Sequence, residues 1–309
     1  MTDSIVISAS LADAANQDFL PPERPVADAP FGPFPVYYLD HGAAEADART
    51  SRGRHTRVSH RLDRMIARVL TQAGLSRAAI AGPRTGLISG SHYGCSQVFE
   101  MHFRLRRKGP RGVDPVSFAQ ATHNYPVSAA AIEYGIEGPC LAAVSLEAAG
   151  LDALQIAMDW LNEGRCDRVL VAAYEDFAPP IADHLSARAQ STPGKAFGEA
   201  MVLLLLERER DVLARGRAGL PVITAVHSAP VDPPSSDLIA VCADEAAAPT
   251  FSPRPLDFLG AGGLLAVHDL LHSPDVGHRG PEHWQIAAAA SAGSGVVARI
   301  GIRQMDLCT

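Results

Sequence analysis

The stretch from Gly138 to Ala173 constrains the fold of this chain more than any other. Gly138-Pro-Cys-Leu-Ala-Ala-Val-Ser145 is apolar, has a strand's length and is bounded by turn residues. Ala148, Leu151, Leu154, Ala157, Met158 and Leu161 then recur at helical spacing and stop at Asn162-Glu-Gly164. Arg168-Val-Leu-Val-Ala-Ala173 follows as a second buried strand. Strand, tight turn, helix and strand at this spacing make a βαβ unit, and strands with no charge in their middle suggest a parallel sheet covered on both faces. The class is therefore α/β.

The flanking segments extend the pattern. Leu62, Met65, Ile66, Val69, Leu70 and Ala73 predict an amphipathic helix ending at Gly74, and the run from Thr85 to Ser91 predicts a strand opening into glycines. Met201–Glu207 reads as a further strand, Arg208–Arg217 as a charged helix or turn, and Pro221–Val226 as the opening of a second half. Leu256–Leu271 reads as a helix, with Gln285–Ala290 and Val296–Ile302 as closing strands. Ser4–Ser8 reads as a short strand before an irregular surface segment at 11–60, where Pro21, Pro22, Pro25, Pro30, Pro33 and Pro35 forbid long regular elements.

Composition excludes several classes. Acidic residues number 34 against 27 basic ones, a net charge of −7, so charge alone gives no reason to expect a nucleic-acid binder. With 47% hydrophobic and 20% charged residues the chain has the make-up of a globular protein. Uncharged runs such as Phe258–Val267 and Trp284–Ala298 fall short of the ~18 residues a membrane span requires. The N-terminus has neither the basic region nor the long apolar region of a signal peptide, which argues for a cytoplasmic protein. Cys95, Cys140, Cys166, Cys242 and Cys308 are too widely spaced for a disulfide framework or a C-x-x-C site, and Cys140 reads as a small buried thiol.

A helix that starts directly after a buried strand presents unpaired N–H groups and the positive end of its dipole, and Glu147 occupies that place. On local physics it is either a helix-stabilising glutamate or a functional one. Asn124-x-x-x-Ser128-Ala-Ala-Ala-Ile132, Gly135-Ile-Glu-Gly-Pro139, Ser145-Leu-Glu-Ala-Ala-Gly150 and Asn162-Glu-Gly-Arg-Cys-Asp-Arg-Val-Leu-Val-Ala-Ala-Tyr-Glu175 together supply the context. Collinear over roughly residues 62–228, they resemble the N-terminal half of the β-ketoacyl synthases. Gly198-Glu-Ala-Met-Val-Leu-Leu-Leu-Leu-Glu207 is similar to that family's Gly-Glu-Gly strand motif. The resemblance implies a thiolase-like layered α/β/α/β/α fold, with an N-terminal ketosynthase-like half at 1–220 and a shortened, degenerate C-terminal half at 221–309.

The same resemblance implies that the family's condensing residues are missing. Its nucleophilic cysteine stands eight residues after the proline of its Gly-Pro, which is Glu147 here, and a carboxylate forms no stable acyl thioester. The first catalytic histidine has no counterpart between Val226 and Phe251. The family's later lysine and histidine positions fall on Ser252 and Asp257, and its final glycine-rich turn is eroded to Ala290-Ser-Ala-Gly-Ser-Gly-Val296, with Ala292 where a gating aromatic is lost.

These departures resemble a chain length factor, the partner subunit that lacks the cysteine and pairs with an active ketosynthase. The implied partners are an active β-ketoacyl synthase, or a second copy of this chain, and an acyl carrier protein; no cofactor is implied. The resemblance also implies that Leu141, Ala142, Ala143 and Val144 line the dimer interface, where pairing would cover an uncharged strand edge that is otherwise an aggregation hazard. Arg104, Arg106, Arg107, Lys108 and Arg111 form the one dense basic stretch, either a carrier-protein dock or a solvated loop.

Two other functions remain open at this point. Glu147 could act on an acyl thioester as a base or decarboxylation aid, although a helix N-terminus favours its charged form and makes a poor base near neutrality unless burial offsets the dipole. His123 facing it would favour this reading. The chain could also be a scaffold or regulatory protein that keeps only the fold. His268 and His272 share a helix face, but without an acidic ligand motif they read as a solvated helix end and no metal is expected. His55 and His60 read as exposed.

Overall fold

A computed structural model describes residues 4–15, 36–39, 55–191, 196–229, 239–242, 256–272, 283–291 and 294–301. The first elements are β1 (Ile5–Ala14), β2 (Val36–Tyr37), α1 (Arg57–Ala73), α2 (Arg77–Ile80), β3 (Thr85–Ser91), α3 (Ser96–Lys108), α4 (Pro115–Gln120) and α5 (Tyr125–Tyr134). The central βαβ unit is β4 (Cys140–Val144), α6 (Ala149–Asn162) and β5 (Arg168–Glu175), followed by α7 (Pro179–Ser191), β6 (Phe197–Gly198), β7 (Ala200–Arg208) and α8 (Glu209–Leu213). The rest comprises β8 (Val222–Ala229), β9 (Ile239–Cys242), α9 (Gly262–His272), β10 (His283–Ser291) and β11 (Ser294–Gly301).

Local chemistry explains the best-defined helix. Thr56 caps α1 by accepting the Ser59 N–H while the Ser59 hydroxyl accepts the Thr56 N–H, and Gly74 ends it at φ +67°, where a Cβ would be strained. Its Leu62, Met65, Ile66, Val69 and Leu70 are buried on one side of the sheet together with α5. By contrast α6 is apolar on most of its surface, so it needs cover all round. It packs on β3 and β5 and also touches β8, β11 and α9, while α9 contacts β1, β7, β9 and β10. These two helices form a middle layer around which the sheet curls.

The nine strands of the main sheet run in the order β4-β3-β5-β7-β1-β8-β11-β10-β9. Only two residue pairs, Ile5↔Ile223 and Val6↔Val222, join the first five strands to the last four. Pairing is parallel for β4-β3-β5, as the βαβ reading expects, and antiparallel from β5-β7 onward, so the sheet as a whole is mixed and not parallel throughout. The charge-free strands reflect cover on both faces, and β7 is buried along nearly its whole length although both its neighbours run against it.

Other expectations change too. The first strand runs to Ala14, because its backbone stays in register with β7 past a bulge between Ile7 and Ala9, and its buried hydroxyls find partners: Ser8 donates to the Leu205 carbonyl. The segment 11–60 is therefore not irregular throughout, since it holds the end of β1, β2 paired in parallel with β6, and the start of α1. The Leu256–Leu271 helix is a short 3-10 turn at Leu259–Ala261 followed by α9. Most of the basic stretch lies on the helix α3, which ends at Lys108, instead of a loop. No helix among the described residues is long and apolar enough to cross a membrane.

Candidate functional site

Three backbone segments meet without side chains between them at the C-terminal ends of β3 and β5. A Cβ on Gly90 of β3 would lie 2.1 Å from the Ala149 carbonyl oxygen, and one on Gly150 would lie 2.7 Å from the Gly260 carbonyl oxygen. A Cβ on Gly260 would in turn lie 2.6 Å from the His92 nitrogen and 3.0 Å from the Leu146 carbonyl oxygen. Glycine at these positions lets β3, the start of α6 and the turn at Leu259–Ala261 touch directly. Leu146 (φ 54°) and Leu259 (φ 47°) are the non-glycine residues with left-handed φ among the described residues, and both flank this junction. Such strain costs ~1–3 kcal/mol and persists where the surroundings over-determine it, typically at functional sites.

Glu147 sits in this junction, in the 3-10 turn Leu146–Ala148 ahead of α6. It is buried, and its Oε1 accepts from Arg188 Nη2 on α7 at 2.8 Å. Its Oε2 lies 3.7 Å from His92 Nδ1, too far for a hydrogen bond. Burial holds the His92 imidazole below its usual pKa, and the Glu147 charge offsets only part of this. Burial also opposes the Arg188 charge, but the hydrogen bond to Glu147 and the fields of Glu147 and Asp257 outweigh it and raise its pKa. Arg188 lies over the Phe197 ring at 5.7 Å. The Tyr93 hydroxyl, pushed up to about 12 by burial, stays protonated beside it.

Asp257 belongs to the same field. It pairs through its backbone with Phe197, and its Oδ1 accepts the Leu259 N–H at 2.9 Å. The site thus contains one guanidinium between two carboxylates and a neutral imidazole. Among the described residues no thiol contacts Glu147, and burial raises Cys95 to about 12 and Cys166 to about 11, which leaves both protonated and unreactive at neutral pH.

His123 does not face Glu147 as one sequence reading required. It packs against Gly94, where a Cβ would lie 2.0 Å from its Nδ1, and the histidine beside Glu147 is His92. His92 lies directly after β3 in Ser-His-Tyr-Gly, and only the register of that strand against β5 reveals its place. Arg188 was equally invisible, since helix α7 brings it across 41 residues.

Cys140 is exposed on β4 and not a buried thiol, because β4 is the outermost strand of the sheet. Along that strand Leu141 is 41% and Val144 44% exposed, with Ala142 and Ala143 half-buried between them. Arg104, Arg106, Arg107, Lys108 and Arg111 are exposed, and Arg104 pairs with Glu100 at 3.6 Å. His55 and His60 are half-buried and stack edge-to-face at 6.3 Å, contrary to the exposed reading. His268 is no solvated residue either: its Nδ1 lies 2.5 Å from the Ser10 hydroxyl, and its ring lies 4.1 Å from that of His272. Among the described residues no group of three or more His, Cys, Asp or Glu could hold a metal ion. Ser252 and Ala292 lie outside the described residues.

The model of the β-ketoacyl synthase N-terminal domain matches residues 41–211, more than half of the chain. The polyketide synthase GfsB of Streptomyces halstedii is 27% identical over 174 residues, which are 52% of this chain and 3% of that protein. A Streptomyces virginiae protein named as a polyketide beta-ketoacyl synthase is 29% identical over 214 residues, 59% of this chain and 51% of its own length. The chain therefore spans about half of the second relative and a small part of the first.

Among solved structures, a type II polyketide ketosynthase in complex with its acyl carrier protein superposes with a TM-score of 0.75 at 16% identity, covering 98% of this chain and 100% of that one. The ishigamide ketosynthase/chain length factor gives 0.69 at 19% identity, covering 97% of this chain and 99% of that one. The layered arrangement is accordingly the thiolase-like ketosynthase fold.

Proposed function

This chain belongs to the β-ketoacyl synthase family, and on that premise we propose that it is a catalytically degenerate subunit, similar to a chain length factor. In this reading it pairs with an active β-ketoacyl synthase in carrier-protein-dependent polyketide or fatty-acid-type biosynthesis. The observation that carries the reading is the ion pair between partly exposed Arg188 and buried Glu147, which stands in the turn that the motif spacing aligns with the family's nucleophile.

Acyl transfer needs a nucleophile that forms a labile thioester and donors for the developing oxyanion. Here the carboxylate has one oxygen engaged by a guanidinium, and the His92 imidazole stands 3.7 Å from the other, beyond hydrogen-bond reach. Two carboxylates against one guanidinium also oppose a malonyl carboxylate or a phosphopantetheine phosphate electrostatically. The alternative of Glu147 as a base on an acyl thioester loses support, because a carboxylate bonded to Arg188 has that lone pair occupied and His123 stands elsewhere.

Pairing is supported by the open edge of the sheet. Strand β4 presents Leu141 and Val144 with its outer backbone edge unpaired among the described strands, a surface that a homologous edge covers. We divide the chain at residue 220 into the ketosynthase-like half and a shortened second half, and place the cytoplasm as its location and the basic face of α3 as the carrier-protein dock. The test is co-expression with an intact β-ketoacyl synthase, followed by size-exclusion chromatography with light scattering. A stable dimer containing both chains supports the reading, a dimer of this chain alone would replace the synthase by a second copy as the partner, and a soluble monomer that ignores the co-expressed synthase overturns it.

A further inference from the structure

Glu175 ends β5 and is fully buried, yet the ion pairs of the fold do not use it. Its Oε1 accepts the His92 N–H at 2.6 Å and lies 2.8 Å from where a Cβ of Gly260 would stand, so it ties together the segments that surround Glu147. Its Oε2 is buried and has no hydrogen-bond partner in the protein. A partly open cleft of about 10 Å³ is lined by Arg57, Arg61, Tyr174, Glu175, Asp176 and Glu199 among others, while Oε2 itself is enclosed by protein.

The other charged groups facing this cleft are committed. From α1, Arg57 pairs with Asp176 at 2.7 Å and Arg61 with Asp13 at 3.3 Å. From the start of β7, Glu199 accepts the N–H groups of Leu39 at 2.9 Å and Phe177 at 2.8 Å. His92 and Tyr93 face Glu175 from the end of β3, and neither imidazole nor phenol carries charge at neutral pH. Tyr174, on the same strand, is also buried and protonated. Glu175 is left as a surplus carboxyl with no cation of its own, and a desolvated unpaired charge is costly.

We propose that Glu175 is a neutral carboxylic acid that accepts through Oε1 from the segments around Glu147 and keeps its proton on the enclosed Oε2, so that its deprotonation destabilises the closed site. Burial, outweighing the donated N–H groups of His92, Tyr93 and Gly260 and the Ser91 hydroxyl, pushes this carboxyl up to about 8. This inference is independent of whether the chain pairs with a synthase.

The sign follows from proton counting. An unfolded glutamate releases its proton near pH ~4.3 and the folded one near 8, so the native state holds more protons between these values and stability falls as pH rises through that window. Glu175→Gln keeps the donor and acceptor and removes the titration. The ratio of unfolding constants, wild type over variant, should rise by up to about tenfold per pH unit between pH 5 and pH 8, and a ratio constant with pH overturns the proposal. Should the variant fail to fold, isotope-edited infrared spectroscopy of wild-type protein carrying labelled glutamate gives a second reading. A buried protonated-carboxyl band at pH 6 that vanishes above pH 9 supports the assignment, and its absence at pH 6 overturns it. Melting in potassium, sodium and choline chloride at equal ionic strength should coincide, whereas stabilisation specific to one metal cation would show that a cation, not a proton, neutralises the site.

Discussion

Arg188 on α7 and Glu147 ahead of α6 meet at 2.8 Å across 41 residues of sequence, and the carboxylate is buried while the guanidinium is about a third exposed. The pair therefore lies at the wall of the site, with the more costly charge on the inside. Asp257 adds a second carboxylate to the same guanidinium's field.

Removing the guanidinium should strand that inner charge. Arg188→Met is expected to destabilise the protein by about 2 kcal/mol, below the ~3–5 kcal/mol of a fully buried pair because Arg188 is partly solvated. The double variant Glu147→Leu/Arg188→Met should recover most of that loss in urea unfolding. Additive losses in the double-mutant cycle would show that the two side chains are not coupled.

Glu147→Cys places a thiol at the start of α6, beside Arg188, where the helix dipole and the guanidinium both favour thiolate. The variant should take up an acyl group from a charged carrier protein. Condensation should still fail, because the family's later lysine and histidine positions carry Ser252 and Asp257. Chain elongation restored by this single change, detected by mass spectrometry of the carrier-bound product, would contradict the account of the site.

Gly90→Ala tests the backbone junction. Its Cβ would stand 2.1 Å from the Ala149 carbonyl oxygen, a contact that no rotamer can relieve. The expected loss is about 3 kcal/mol by denaturant titration, at the upper end of overpacking penalties. A variant of unchanged stability would mean that β3 and α6 are not in direct contact there.

Ala143→Arg tests the open edge. On a free surface a half-buried alanine of an edge strand tolerates arginine with little change. At a subunit interface it introduces an unpaired charge and should shift the protein toward monomer or insoluble material. Light scattering that returns the same mass for the variant and the unmodified chain would remove β4 from the interface.

The fold was largely legible because its information is local. The apolar period of α1, its stop at Gly74 and the strand-helix-strand run at 138–173 require nothing outside their own windows, and they stand where the pattern put them. Strand direction was legible only within the βαβ unit, where β4 and β5 lie parallel to β3; beyond it an uncharged strand reports cover on its two faces and not how its neighbours run. The extension of β1 to Ala14 was hidden for a related reason: Ala, Asp and Ser are poor strand formers, and the ladder with β7 overrides them. Of the site, Glu147 could be read from spacing. Arg188 and His92 could not, because each reaches it through the packing of a whole helix or the register of a strand.

The central claim, that the site around Glu147 performs no acyl transfer, is tested most directly by incubating the purified chain with a radiolabelled acetyl-carrier protein and a malonyl-carrier protein and following label by denaturing gel and product by mass spectrometry. The account predicts no label on the chain and no β-ketoacyl product. Stoichiometric labelling of the chain, or any condensed product formed by it alone, would contradict it.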